Sequence, residues 1–216
     1  FEAYVEKRNI FLDDQDYRVF LHLLKYFLSP DTNLNQHPLT LLTGFNPVRF
    51  RPFENLSKEV NLLAYCLMPN HFHLLIKQLS YYGLSIFAKR VFVTYSMYFN
   101  RRYKRVGHLF QGVFKAALVK DDSYLLHLSR YIHINPRELT GSDLVTYPYS
   151  SYEYYLRNKS ALWINPQLVL DYFQPSKLLI PTNINTYKKF VEDYLGNSEQ
   201  ILGSLILEDP AINEDA

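Results

Sequence analysis

His71 and His73 flank Phe72 in the run Leu62-Leu-Ala-Tyr-Cys-Leu-Met-Pro-Asn-His-Phe-His-Leu-Leu-Ile-Lys77. Pro69-Asn70 is a turn signal, and the apolar runs on either side of it read as two central strands of one sheet. Residues two apart on a strand share a face. Both imidazoles therefore project together while Phe72 packs on the other side. Two imidazoles side by side on a rigid strand supply two-thirds of a metal site. The competing reading is a pair of hydrogen-bonded core histidines.

The second pair with chemical potential is Tyr131 and Asn135. The sequence predicts a helix from about Tyr124 to Ile134, capped by Lys120-Asp121-Asp122-Ser123 and ended by Asn135-Pro136, because the residue before a proline resists helical geometry. Four residues apart on that helix, Tyr131 and Asn135 share a face and could direct a phenol and an amide oxygen at one place. Against this, the chain has 19 tyrosines, most of which must be structural, and Asn135 also suits a C-terminal cap.

The elements that must position these residues follow from periodicity. Phe1 to Val5 is a weak candidate strand. Asp13-Asp14 open a helix through about Leu28, with Val19, Phe20, Leu23, Leu24 and Phe27 on one stripe. Asp31 to Ser57 holds three prolines and no sustained period, and reads as a long loop or insertion. Within it Arg49 and Arg51 alternate with Phe50 and Phe53, a pattern that suits single-stranded nucleic acid as well as a loop docked on the core. Tyr81-Tyr82-Gly83 leads into a helix over about Leu84 to Tyr103. Val106 to Lys115 is a glycine-punctuated turn leading to a strand through about Val119. After Leu139 the pattern is helical, with segments at Pro166 to Phe173, Thr186 to Leu195 and Ser198 to Leu207, and an acidic tail. No internal repeat is present.

Bulk properties narrow the classes. Of 216 residues 48% are apolar, enough for a core in one domain with an appendage or two small ones. The single cysteine, Cys66, excludes an internal disulfide and fits a reducing compartment. No apolar run approaches the ~18 residues of a membrane span. No signal peptide is visible, and the first residue, Phe rather than Met, reads as a trimmed start. Net charge is only +2, but it is unevenly placed. Lys89, Arg90, Arg101, Arg102, Lys104, Arg105, Lys115 and Lys120 fall in an interval, 84–120, that contains no acid. The other 15 of the 23 basic residues face 21 acidic ones. A basic block in an otherwise acidic chain points to a polyanion partner, with a solvated helix face as the plainer alternative.

Taken together, five segments resemble the REP-associated tyrosine transposase-like proteins, within the superfamily of single-tyrosine HUH transposases. They are 64–75 around the histidine pair, Tyr98-Phe-Asn-Arg-Arg-Tyr103, Gly107-His-Leu-Phe-Gln-Gly112, Ser129-Arg-Tyr-Ile-His-Ile-Asn-Pro136 and Pro148-Tyr-Ser-Ser-Tyr152. Each alone is a weak pattern, and their shared order over roughly Asn9 to Phe173 makes the signal specific.

The resemblance implies an α+β fold: a four-stranded antiparallel sheet in ferredoxin-like βαββαβ order, helices on one face, and a C-terminal helical extension. It implies a catalytic domain over 1–138, with 31–57 as an insertion, and an extension over 139–216. It implies a divalent metal, Mg²⁺ or Mn²⁺, on His71, His73 and Asn135. Tyr131 would attack a phosphate of single-stranded DNA to give a 5′-phosphotyrosine and a free 3′-hydroxyl, which a second strand's 3′-hydroxyl could resolve. Residues expected to hold single-stranded or hairpin DNA are Lys89, Arg90, Arg101, Arg102, Lys104, Arg105, His108, Gln111 and Lys115. His133 would lie beside DNA or behind the site, or serve structure. The expected setting is the cytoplasm of a prokaryote, near the nucleoid, as a monomer or homodimer without membrane association.

Two other classes remain at this point. A domesticated regulator that binds hairpin DNA without chemistry would need none of His71, His73, Tyr131 and Asn135. A metal hydrolase using water would need an acid near the metal, and none adjoins His71 or His73 in sequence.

Overall fold

The computed structural model describes residues 2–4, 8–30, 37–40, 54–110, 117–141, 143–174 and 184–194. Its centre is a hairpin of β2 (Val60–Met68) and β3 (His71–Gln78), joined across Pro69-Asn70. β1 (Glu2–Tyr4) adds three residues antiparallel to β3, giving the order β1-β3-β2, with Glu2 opposite His73 and Tyr4 opposite His71. The turn is tied to the chain before the first helix, since the Pro69 carbonyl accepts from the amides of Ile10 (2.8 Å) and Phe11 (3.0 Å).

The expected four-stranded ferredoxin-like sheet is not formed. Two long strands make up the sheet among the described residues, with only the short β1 beside them. Residues 117–120 have no strand geometry, and residues 111–116, with Gln111, Lys115 and the remainder of the strand expected to run through about Val119, lie outside the described residues. On the far side of β2 the backbone is already satisfied. Leu67 N–H donates to the Tyr149 carbonyl (2.9 Å), Ser151 N–H to the Tyr65 carbonyl (2.9 Å) and Asn165 N–H to the Leu62 carbonyl (2.8 Å). The Tyr147 hydroxyl adds a bond to the Leu67 carbonyl (2.5 Å). A strand edge saturated in this way offers no ladder to another strand.

Helices cover both faces of the sheet, which corrects the expectation of one. α1 (Asp14–Leu28) and α2 (Gly83–Arg102) bury Phe20, Leu23, Phe27, Phe87, Val91, Tyr95 and Phe99 against Leu62, Tyr65, Leu67, Phe72 and Leu74. On the other face α3 (Asp122–Ile134) buries Leu125, Ile132 and Ile134 against Leu63, Ala64, Cys66, Met68 and Leu75. The physical reason is legible in β2 itself. Eight of its nine residues are buried, and a strand apolar on both sides must be covered on both sides.

A bulge keeps the faces in order. Leu62 pairs with Ile76 and Ala64 with Leu75, which leaves Leu63 as the extra residue. Leu63 and Ala64 both turn to the α3 layer, and the alternation then resumes so that Cys66 sits opposite His73 on that same face.

The short helices α4 (Arg137–Thr140), α5 (Tyr152–Tyr155) and α6 (Gln167–Leu170), and the longer α7 (Ile184–Glu192), complete the α3 layer. Tyr152, Tyr155, Val169, Leu170, Phe173, Tyr187 and Val191 share its buried cluster. The expected helix at Ser198 to Leu207 and most of the Asp31 to Ser57 segment, including Arg49, Phe50, Arg51 and Phe53, lie outside the described residues.

Candidate active site

Strand alternation sets the first half of the site. His71, His73 and Leu75 project to the α3 layer while Phe72 and Leu74 enter the other. The imidazole rings of His71 and His73 stand 4.9 Å apart at 81°. His73 is 5% exposed, whereas His71 is half-buried at the strand start.

The helix end sets the second half. Asp121 caps α3 by accepting from the Tyr124 amide at 2.7 Å. At the other end Asn135 keeps helical geometry (φ −48°, ψ −41°), and its amide donates to the Tyr131 carbonyl at 3.1 Å. The last turn therefore persists up to Pro136, and Tyr131 and Asn135 share a face. The Tyr131 ring meets His73 edge-on at 5.1 Å and 77°. The Asn135 side-chain amide lies 3.0 Å from Nε2 of His73 and also bonds His71. All four predicted residues thus converge on the α3 side of the hairpin.

Tautomers follow from the partners. Nδ1 of His71 is 2.8 Å from Oδ1 of Asn70, which can only accept, so Nδ1 carries the proton and Nε2 a lone pair. Nδ2 of Asn135 can only donate, so Nε2 of His73 also bears a lone pair. Both histidines titrate below the ordinary value. Burial depresses His71, partly offset by its bond to Asn135, and burial with the neighbouring His71 holds His73 well down. Neutral imidazoles that present Nε2 lone pairs are what a metal requires. Rotating the Asn135 amide would present Oδ1 in place of Nδ2, giving an N,N,O donor set that fits a divalent cation keeping several open positions. Among the described residues no cluster of three or more His, Cys, Asp or Glu is present. Cys66 faces His73 across the hairpin, but burial raises its thiol, and its sulfur lies 3.8 Å from that of Met68.

Asn70 was read in the sequence only as a turn residue. A carboxamide immediately before the first histidine is the signal for its second role, fixing the His71 tautomer.

The predicted DNA-binding residues divide. Lys89, Arg90 and Arg101 are exposed on α2, as are Lys104 and His108 beyond it. α2 lies in the layer opposite His71 and His73, so these cations do not line the four-residue cluster. Arg105 is half-buried, with its guanidinium at 5.7 Å over Phe99 and Nη1 at 3.2 Å from Oδ1 of Asn100. Arg102 is committed to structure. Its Nη1 bonds Asp16 (2.7 Å) and Tyr98 (2.8 Å), and its Nη2 bonds Asp13 (2.5 Å). Asp16 is fully buried and also accepts from Tyr98 (2.7 Å), Tyr103 (2.8 Å) and the Leu12 amide (2.8 Å).

His133 is structural as well. It is fully buried between the Tyr187 hydroxyl and the Ser151 hydroxyl, each at 2.7 Å, and burial pushes its pKa down to about 3.

The structure thus brings a strand-borne histidine pair against a helix-borne tyrosine and amide. Residues 54–135, which contain all four site residues, match the family model for Transposase IS200 like proteins. Neither the curated proteins nor the solved structures searched gave a match. Among the described residues no helix is long and apolar enough to cross a membrane.

Proposed function

We propose that the protein nicks and rejoins single-stranded DNA with Tyr131 as nucleophile and a divalent metal, Mg²⁺ or Mn²⁺, as cofactor. The observation that carries this reading is the convergence of His71, His73, Tyr131 and Asn135 from β3 and the end of α3. Nε2 of each histidine and the Asn135 amide oxygen would hold the metal. When bound, it supplies Lewis-acid polarisation of the phosphoryl oxygens, which a phenol with a reference pKa near 10 needs. Asn70 keeps the His71 lone pair turned to the site, and burial keeps both imidazoles unprotonated.

The Tyr131 oxygen bonds to phosphorus, its proton passes to water, and the P–O3′ bond breaks. The products are a 5′-phosphotyrosine and a 3′-hydroxyl that takes up a proton. Attack by a second 3′-hydroxyl reverses the exchange and restores the phenol, so joining requires no external energy source. Lys89, Arg90, Arg101, Lys104 and His108 are exposed and serve as phosphate contacts for DNA flanking the cut.

The test is adduct formation with labelled single-stranded hairpin DNA and Mg²⁺ or Mn²⁺, read on a denaturing gel. The expected result is a covalent adduct lost in Tyr131→Phe and His73→Ala and kept in Tyr124→Phe. An adduct lost only in Tyr124→Phe would move the nucleophile two turns up α3. Hairpin binding without an adduct under either metal would overturn the proposal in favour of a DNA-binding protein without chemistry.

A further inference from the structure

A second groove opens on the other side of the sheet, between α1 and the segment 148–163. Its volume is about 820 Å³. Arg18 and Lys25 of α1 line one wall, and Lys159, Tyr154 and Trp163 line the other, with Tyr65 of β2 between them. Tyr65 packs in the α1 and α2 layer, so the groove is separated from His71 and His73 by the sheet. Except for Tyr65, these residues fall outside the 54–135 span that matches the transposase family.

Two buried donors in this wall lack acceptors among the described residues. Tyr65 is 3% exposed and Trp163 is 8% exposed. Their rings stack at 5.7 Å and 27°, and Tyr154 meets Trp163 edge-on at 5.9 Å. Neither the Tyr65 hydroxyl nor the Trp163 indole N–H has a hydrogen-bond partner among the described residues, although buried donors are otherwise almost always paired. Nearby, the Tyr147 and Tyr155 hydroxyls each reach a β2 carbonyl, so the fold does satisfy such groups where no opening adjoins them.

The charge at the rim is positive. Arg18 is paired with Asp14 at 2.5 Å and Lys159 with Glu153, both in exposed pairs, while Lys25 has no carboxylate partner among the described residues. His22, also in the wall, donates from Nε2 to the Pro38 carbonyl (3.1 Å), and burial holds it below its ordinary pKa, so it lines the groove as a neutral ring.

We propose that this groove is a nucleotide-binding subsite, with the phosphate held by Lys25, Arg18 and Lys159 and the base set against Trp163 and Tyr154. A nucleotide matches each feature. It brings an anion to the cations, a planar apolar body to the aromatic wall, and acceptor atoms on the base to the two unsatisfied donors. The same chemistry is offered by a free nucleotide and by a residue of a DNA strand. The subsite does not depend on chemistry at Tyr131.

Trp163 is the chain's single tryptophan, so tryptophan emission, excited selectively over that of the 19 tyrosines, reports on this groove. The experiment titrates the full chain and its Tyr131→Phe variant with thymidine monophosphate, thymidine, inorganic phosphate and a short thymidylate oligonucleotide. Saturable quenching by the monophosphate is expected, with thymidine and inorganic phosphate each at least about tenfold weaker and Tyr131→Phe unchanged. The double substitution Lys25→Gln, Lys159→Gln should raise the dissociation constant about tenfold without altering thermal unfolding. Quenching by the oligonucleotide but not the monophosphate assigns the subsite to strand DNA, and quenching by both admits free nucleotides. The proposal is overturned if neither produces a saturable change, if inorganic phosphate alone matches the monophosphate, or if the double lysine variant binds as tightly as the parent. Failure of the Tyr131 adduct with quenching intact would leave this subsite standing.

Discussion

Asn135 and His73, 62 positions apart in the chain, meet side chain to side chain at 3.0 Å. That contact joins the end of α3 to the middle of the hairpin and brings the Tyr131 ring against His73. The amide is only half-buried, so its removal leaves packing intact while deleting one donor of the proposed metal set. Asn135→Ala should weaken Mn²⁺ binding by at least about tenfold, measured by calorimetry, with little change in unfolding temperature. Asn70→Ala should weaken it by roughly tenfold through the His71 tautomer, in line with the effect of groups that orient metal ligands. Unchanged Mn²⁺ affinity in both would remove the metal from the site.

Arg102 and the neighbouring exposed cations should separate in a stability assay. Arg102→Ala leaves the buried Asp16 carboxylate without its cation, a change that costs roughly 3 kcal/mol when a buried pair loses one partner. Lys89→Ala and Arg90→Ala should leave urea unfolding unchanged and instead lower the salt dependence of DNA binding. An unfolding midpoint for Arg102→Ala equal to that of the parent would place Arg102 among the DNA contacts after all.

His133 ties stability to pH. Its folded-state pKa, about 3, lies below the ordinary 6.5, so the unfolded chain takes up a proton before the folded one does. Its stabilising contribution is complete above pH 6.5 and is lost as pH falls toward 3, at a slope of up to about 1.4 kcal/mol per pH unit. His133→Gln should flatten the decline in that window, read from urea unfolding at a series of pH values. An identical decline in the variant would assign the acid sensitivity to other groups.

Ser151 holds the same network from the far side. Its hydroxyl oxygen accepts from the Tyr65 amide (2.8 Å), lies 3.1 Å from the Tyr65 carbonyl and bonds Nε2 of His133. Ser151→Ala strands buried polar groups on β2 and α3 and should cost roughly 1–3 kcal/mol. Mn²⁺ affinity should be unchanged, since Ser151 bonds Tyr65 and His133 rather than a proposed metal ligand. A loss of metal affinity with no loss of stability would reverse that assignment.

The sequence by itself determined the local elements and singled out four side chains that the fold brings together. Periodicity and caps placed α1, α2 and α3, and the Pro69-Asn70 turn placed the hairpin, because these signals lie within a few residues of what they specify. Strand alternation put His71 and His73 on one face, and helix spacing put Tyr131 and Asn135 on another, again by local geometry. Only the tertiary structure decided how many strands pair and which faces are covered. The edge of β2 is closed by Tyr147, Tyr149 and Ser151, some 80 residues later, and no local pattern in β2 announces a partner so distant. The Leu63 bulge likewise becomes visible only once the register is known. Side-chain commitment was equally non-local. Arg102 looked like a surface residue in the linear pattern, and His133 was open between the site and structure; their partners Asp13 and Asp16, Ser151 and Tyr187 come from elements packed against them, and those contacts fixed their roles.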